Sequence, residues 1–186
     1  MNDIFVGRAA ALFDDIEKWS TFLDLHAGKE KLVDLWYAGL IDNLRQNLVV
    51  DQGKWQFRKW HARSWGWYAD FDQDSLVVLY EHNRFCLWIN DGKYDSQAIL
   101  SRFRTQKLFV GFFATHNIRN GGPYMAIQEN AIVIRNITNP DLLAWYAGHA
   151  GPEHEQMLNE LHRFFSFYLH DPEIFNMVQQ ANTLKR

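Results

Sequence analysis

Two acidic residues on neighbouring predicted strands are the first candidates for chemistry. Asp70 and Glu81 each follow a run in which apolar and polar residues alternate. They have the same parity along their strands, so both side chains are expected on one face of a sheet. Two carboxylates on adjacent strands are what a magnesium-dependent nuclease uses to hold its metal and activate water. The sequence therefore offers Asp70 and Glu81 as an alternative catalytic pair, with Mg²⁺ as the cofactor.

The pattern of these two acids resembles the Asp…Glu-x-Lys site of the PD-(D/E)XK nuclease superfamily. The resemblance covers two strands, and Asn83 stands where that family places its basic residue. It implies a Mg²⁺-dependent nuclease if the register brings the acids together. A two-residue turn at 74–75 places Glu81 about 7 Å along the strand from the partner of Asp70, and a four-residue loop places it about 13 Å away. The structural alternative is that both acids face solvent or pair with Arg and Lys.

Residues 54–67 form a second candidate, because basic side chains alternate there with flat aromatic ones. Residues 52–69 contain no acid, whereas residues 70–82 contain four acids and no Lys or Arg. Adjacent segments of opposite charge are typical of cross-strand ion pairing. Aromatic residues and Arg also dominate binding hot spots. The functional interpretation is an exposed binding surface made by Trp55, Arg58, Lys59, Trp60, Arg63 and Trp65.

The leading hypothesis is a non-catalytic binding protein that engages a macromolecular partner through this surface. The formal net charge of −3 favours another protein as the partner, because proteins that coat nucleic acid usually carry a basic surplus. Basic residues interleaved with aromatic ones are also typical of single-stranded nucleic-acid binders, which gives a further alternative. Outside the Asp70 and Glu81 hypothesis, we assign no catalytic residue, metal or cofactor.

Histidines near the C-terminus invite a separate metal hypothesis. His154-Glu155 begins the zinc-protease pattern His-Glu-x-x-His, but Leu158 stands at its last position. His154, His162 and His170 recur every eight residues, so each lies about 80° further around a helix than the last. We therefore predict that these histidines do not converge on one ion.

The composition predicts one domain over residues 1–186. The 186 residues are 47% hydrophobic and 16% aromatic, enough for a large core, and no linker or repeat divides the chain. The longest apolar run is Leu108 to Ala114, far below the ~20 residues that span a bilayer. The N-terminal segment lacks the features of a secretory signal, and the single cysteine, Cys86, allows no intrachain disulfide. We predict a cytoplasmic protein without a membrane partner.

Periodicity predicts an α+β fold that begins with a helical hairpin. Apolar residues recur every three or four positions over residues 3–25 and again over 30–47, and His26-Ala27-Gly28 is expected to separate the two helices. Self-association of the protein through residues 3–47 is one expectation. A helical C-terminus is predicted from residue 152 onward, with a separate short helix at 172–180.

An antiparallel sheet is predicted between these helical parts. Alternating residues indicate a meander over about 54–90, with a turn at Asn83-Arg84 that sets Tyr80 opposite Leu87. Further strands are expected near 108–114 and 131–137, and helices near 96–106 and 140–148. One face of the meander is uniformly apolar. The other carries enough apolar residues that we expect it to be covered.

Overall fold

The computed structural model describes residues 12, 14–69, 75–82, 84–129 and 151–186. The fold is α+β, as predicted. Its helices and strands, in chain order, are α1 (Ile16–Asn47), β1 (Trp55–His61), β2 (Ser64–Ala69), β3 (Val77–Glu81), β4 (Arg84–Trp88), α2 (Ser96–Phe103), α3 (Lys107–Val110), β5 (Tyr124–Glu129), α4 (Pro152–Leu169) and α5 (Pro172–Ala181).

Within the described residues, five strands form one antiparallel sheet in the order β1-β2-β3-β4-β5, in which β1 and β5 are the outermost strands. The predicted meander is confirmed by this order. Strands β2 and β3 approach very closely at Gly66, where a Cβ atom would lie 2.1 Å from the carbonyl oxygen of Val78. Glycine is therefore required at this point of the sheet.

The predicted pairing between β3 and β4 is wrong by two residues. Tyr80 pairs with Phe85 and Val78 pairs with Leu87, so the turn between Glu81 and Arg84 consists of residues 82 and 83. Because side chains alternate with a period of two, a two-residue error leaves every side chain on its predicted face. The apolar first face is accordingly confirmed.

The first face of the sheet packs against helices α4 and α5 through aromatic contacts. The ring of Phe165 in α4 stacks on Trp65 at a centroid distance of 5.5 Å and meets Trp67 at 4.6 Å. Phe175 of α5 lies 5.4 Å from Trp55. These three tryptophans thus contribute directly to the core, where aromatic pairs add to the stability gained from buried area.

The second face carries a smaller apolar cluster. Its buried members are Val77, Leu79, Cys86 and Ile127. The prediction that this face is covered agrees with their burial. Burial in this cluster raises the pKa of the Cys86 thiol to about 12, so the thiol is protonated and a poor nucleophile.

The N-terminal hairpin is a wrong prediction, because one continuous helix spans the expected break. Helix α1 runs for 32 residues, and the Asp15 carboxylate caps its start by accepting from the Lys18 amide at 2.8 Å. Gly28 lies inside the helix, with open space where a Cβ would be. A single glycine costs a helix only about 1 kcal/mol, so it does not end one. Residues 3–11 lie outside the described part.

The strand predicted at 108–114 is also wrong. Residues Lys107–Val110 form a single helical turn, and the chain then bends at 111–113. The side chains of Leu108, Phe109 and Phe113 are buried, although the backbone that carries them is not a strand. A short apolar run fits a buried helical turn as well as a buried strand, so periodicity could not decide between them.

The remaining predicted elements divide into those confirmed and those outside the described residues. Helices α2, α4 and α5 agree with the predictions for 96–106, 152 onward and 172–180. Strand β5 was not predicted; it follows Asn120-Gly121-Gly122-Pro123, residue types that favour a loop. The strand predicted at 131–137 and the helix predicted at 140–148 lie outside the described part. No helix in the described ranges is long and apolar enough to cross a membrane.

Candidate functional site

Two of the six residues predicted to form the binding surface lie in the hydrophobic core. Trp55 is 1% exposed and Trp65 is 0% exposed. Trp65 has the same parity as Trp67 along β2 and therefore points to the first face with it. Neither tryptophan can contribute its ring to an exposed surface, so this part of the prediction is wrong.

Arg63 joins the turn between β1 and β2 to helix α1. Its Nε atom donates to Oδ1 of Asp34 at 3.0 Å, and its guanidinium lies 5.7 Å from the ring centroid of Tyr37. Lys54 pairs with its neighbour Asp51 at 3.2 Å. Both of these ion pairs use acids outside residues 70–82, the segment in which the charge pattern predicted the partners.

Arg58, Lys59 and Trp60 are the predicted residues that remain on the surface, and together they are called the Trp60 surface below. The Trp60 side chain is 36% exposed, and the Arg58 guanidinium lies 5.4 Å from its ring centroid. Lys59 is also exposed, but it pairs with Trp65, so its side chain leaves β1 on the face opposite to that of Arg58. The register of β1 shifts between Lys59 and His61, so a bulge at the edge of the sheet positions the Trp60 side chain.

A pocket of about 250 Å³ lies beside the Trp60 surface, at the end of the sheet where the β1–β2 and β3–β4 turns meet. The turns bring together residues that are distant along the chain. Its lining residues are Trp60, His61, Ser64, Leu79, Glu81, Trp88 and Tyr124.

Glu81 is the most constrained ionisable residue in this pocket. Its Oε2 atom accepts a hydrogen bond of 2.5 Å from the Tyr124 hydroxyl, and its Oε1 atom accepts a longer one of 3.3 Å from Ser64. The Arg84 guanidinium lies 3.5 Å from Oε2. Burial, followed by the hydrogen bond to Glu81, raises the pKa of Tyr124 to about 12, so the hydroxyl keeps the proton that it donates.

His61 and His82 lie beside the Glu81 carboxylate. Their ring centroids are 5.1 Å apart, and the ligand atoms of the two imidazoles and the carboxylate all lie within 4.8 Å of one another. Partial burial lowers the pKa of His82, an effect that Glu81 partly opposes and His61 reinforces. The lowered pKa favours the neutral imidazole, the form that accepts a proton or binds a metal.

The backbone of His82 has the left-handed conformation that a two-residue hairpin turn uses. Its φ is +44°, in a region where glycine, asparagine, aspartate and histidine are enriched. Its N–H donates to the carbonyl oxygen of Arg63 at 2.9 Å, which ties the β3–β4 turn to the β1–β2 turn. The bulge on β1 and this turn on β3 together place the two imidazoles next to Glu81.

The sheet register does not match either arrangement considered for the Asp70 and Glu81 pair. Glu81 pairs with Ser64, at the opposite end of β2 from Ala69. Five residues of strand separate these ends by about 17 Å. Asp70 itself lies outside the described residues.

The ionisable side chains around Glu81 include two imidazoles and a guanidinium. They are a poor environment for Mg²⁺, which prefers oxygen ligands.

His61, His82 and Tyr124 belong to this pocket region but were not predicted from the sequence. A weak signal existed, because His82 directly follows Glu81 and His61 lies within the basic segment. Bringing the two histidines together requires the lengths of two turns and the bulge on β1, which parity cannot supply.

The other described histidines of the C-terminal region lie apart from this pocket. His154 is buried with its ring 5.9 Å from Trp36. His170 has its Nε2 atom 2.6 Å from the carbonyl oxygen of Val49.

A second depression, of about 320 Å³ and therefore larger than the pocket beside Trp60, is lined in part by Arg45. The Arg45 guanidinium lies 4.7 Å from the Phe57 ring centroid.

Comparisons of the chain with protein-family models, curated proteins and solved structures find no match.

Proposed function

We propose that the protein is a non-catalytic binding protein that engages another protein through the Trp60 surface. The observation that carries the proposal is the Trp60 ring, 36% exposed on an edge strand with the Arg58 guanidinium 5.4 Å from its centroid. Trp and Arg are the residues most enriched in binding hot spots, where a large ring and a planar cation bury much area together.

A protein partner accounts for this surface better than single-stranded nucleic acid does. Binding of a strand by stacking uses aromatic rings that contact successive bases. Of the three tryptophans considered for that role, Trp55 and Trp65 are in the core and Trp60 alone is on the surface. One ring provides an anchor for a protein side chain or backbone, but not a track for several bases.

The position of β1 favours an extended segment of the partner as the occupant. Strand β1 pairs with β2 along one side and is the first strand of the sheet, and the backbone groups on the outer side of such an edge can accept a further strand. The bulge at 59–61 interrupts regular pairing, so the added strand would run along residues 55–59 and reach Trp60 at its end. The basic Arg58 and Lys59 select for acidic side chains on that segment.

Selection from a displayed library of random peptides tests this proposal and does not require the partner to be identified first. We expect enriched peptides to be acidic with an apolar anchor. Trp60→Ala should weaken their binding, measured by calorimetry, by about 2 kcal/mol or about 30-fold. Trp19→Ala is the matched control, because Trp19 is 46% exposed on α1 and should leave the affinity unchanged.

Two results would count against the proposal. One is peptide binding that Trp60→Ala and Arg58→Ala leave intact. The other is tight binding of an oligothymidylate of about 20 nucleotides that falls steeply with salt, which would identify the surface as a nucleic-acid site instead.

A further inference from the structure

We propose that His61, Glu81 and His82 form a binding site for a divalent transition-metal ion of the Zn²⁺ type, with two imidazoles and one carboxylate as protein ligands. The site lies at the junction of the β1–β2 and β3–β4 turns, next to the Trp60 surface but made of different residues. Trp60 lines the same pocket as His61 and Glu81, but it is not one of the proposed ligands.

The distances between the three ligand groups are close to those that such an ion needs. The ligand atoms lie within 4.8 Å of one another. Tetrahedral Zn²⁺, with bonds of about 2.0–2.2 Å, separates neighbouring ligand atoms by about 3.3 Å. His61 and His82 are both exposed, so small rotations of their side chains can close the difference. Three protein ligands leave the fourth position of the ion to water.

The Glu81 carboxylate is held in place by groups outside the proposed ligand set. Tyr124 donates to Oε2 at 2.5 Å, and Arg84 also approaches Oε2, at 3.5 Å. Oε1 has the longer contact, 3.3 Å from the Ser64 hydroxyl. Oε1 is therefore the oxygen that we assign to the ion. Hydrogen bonds of this kind orient metal ligands and strengthen metal binding in known sites.

The turn that carries His82 sets the direction of its side chain. Two-residue hairpin turns use a positive φ at their central residues, and the φ of His82 is +44°. At this position the imidazole lies against His61 and Glu81.

The chemistry of the three ligands selects the class of ion. Two nitrogen donors and one carboxylate suit Zn²⁺, Co²⁺, Ni²⁺ and Cu²⁺, whereas Mg²⁺ and Ca²⁺ require mainly oxygen donors. The nearby Arg84 charge further disfavours an ion whose affinity depends on electrostatics alone. A bound ion would connect the β1–β2 turn to the β3–β4 turn and so stabilise this end of the sheet.

Calorimetric titration of the chelator-treated protein with Zn²⁺ tests the proposal, and Co²⁺ absorption reports the geometry of the site. We expect one ion per chain and visible Co²⁺ bands of a nitrogen- and oxygen-coordinated site. His61→Ala, Glu81→Gln and His82→Gly should each weaken binding by at least about 10-fold. Glycine tolerates the φ at position 82, so His82→Gly removes the ligand without straining the turn.

His116→Ala serves as the matched control, because His116 is an exposed histidine in a short turn remote in sequence; the Zn²⁺ affinity of this variant should equal that of the wild type. Circular dichroism confirms that each variant folds. Absence of saturable Zn²⁺ binding by the wild type would overturn the proposal. So would binding that survives in the double variant His61→Ala/His82→Gly, or a site that prefers Mg²⁺ to Zn²⁺.

Discussion

The hydroxyl of Tyr124 on edge strand β5 donates a 2.5 Å hydrogen bond to the carboxylate of Glu81 on β3. Strand β4 lies between β3 and β5, so this bond spans the intervening strand across the second face of the sheet. It orients the Glu81 carboxylate, which lies near the imidazoles of His61 and His82. The geometry of the whole pocket therefore depends on a contact between residues 43 positions apart in sequence.

Removal of this hydroxyl should affect both stability and metal binding. We expect Tyr124→Phe to lower the free energy of unfolding by about 1.5–3 kcal/mol, because the lost hydrogen bond has a charged acceptor. Zn²⁺ affinity should fall by about 10-fold as the carboxylate loses its orientation. Urea unfolding and calorimetry measure the two effects. Tyr68→Phe, on the same face of the sheet, is the control and should change neither quantity by as much.

Alanine substitution should change the stability of the protein in opposite directions at Gly66 and Gly28. Gly66→Ala should destabilise the protein by about 1–3 kcal/mol, because its Cβ would lie 2.1 Å from the Val78 carbonyl oxygen and force strands β2 and β3 apart. Gly28→Ala should instead stabilise α1 by up to about 1 kcal/mol, since open space surrounds that position. Thermal unfolding of both variants checks the opposite signs. A destabilising Gly28→Ala would contradict the continuous helix.

The cap of helix α5 should give a pH-dependent contribution to stability. Asp171 accepts from the amides of Glu173 and Ile174 and contacts Lys107. The Lys107 contact, followed by the amide hydrogen bonds, lowers the pKa of Asp171. A carboxyl whose pKa is lower in the folded state stabilises it above the unfolded-state pKa, and this stabilisation is lost as pH falls through the folded-state pKa.

We therefore expect Asp171→Ala to cost about 1 kcal/mol at pH 7 and progressively less in acid, below the ordinary pKa of an aspartate. Urea unfolding of wild type and variant at several pH values measures the difference. A difference that stays constant into strong acid would show that the charge of Asp171 has no part in the cap. Glu173→Ala, at a residue more exposed to solvent, should show a smaller effect.

Self-association through the N-terminal region stays a prediction, and α1 indicates where to test it. Leu12, Ile16, Trp19 and Leu23 are exposed at spacings of four, three and four residues. In sedimentation velocity at several concentrations, we expect a larger species that Ile16→Lys or Leu23→Lys abolishes. Leu35→Lys is the control, because Leu35 is exposed but outside this spacing. A sedimentation coefficient independent of concentration and unchanged by these variants would contradict self-association.

Side-chain alternation made the faces of the sheet predictable, whereas pairing depended on turn lengths. Val78 and Tyr80 were assigned to the correct face although their partners on β4 were misplaced by two residues, because alternation is insensitive to an even shift. The same parity argument, extended from Trp67 to Trp65, would have placed Trp65 in the core. Alternation places Trp55 and Trp60 on opposite faces of β1, but which of the two is buried depends on contacts such as that of Trp55 with Phe175 of α5.

The helical errors have a similar physical origin. Gly28 was interpreted as a helix end, but α1 continues through it, because the cost of one glycine is small beside the packing of the helix on the core. Only part of the candidate site could be predicted from the sequence. Glu81 could be identified as a metal-binding candidate from its place on the strand, but its histidine neighbours come from the bulge and the turn that the chain forms around it.

The affinity of a library-selected acidic peptide for wild type and for Trp60→Ala is the most direct test of the proposed function. We predict that the wild type binds the peptide and that the variant, with an unchanged unfolding transition, loses about 30-fold in affinity. Equal affinities for the two proteins would contradict the assignment of partner binding to the Trp60 surface.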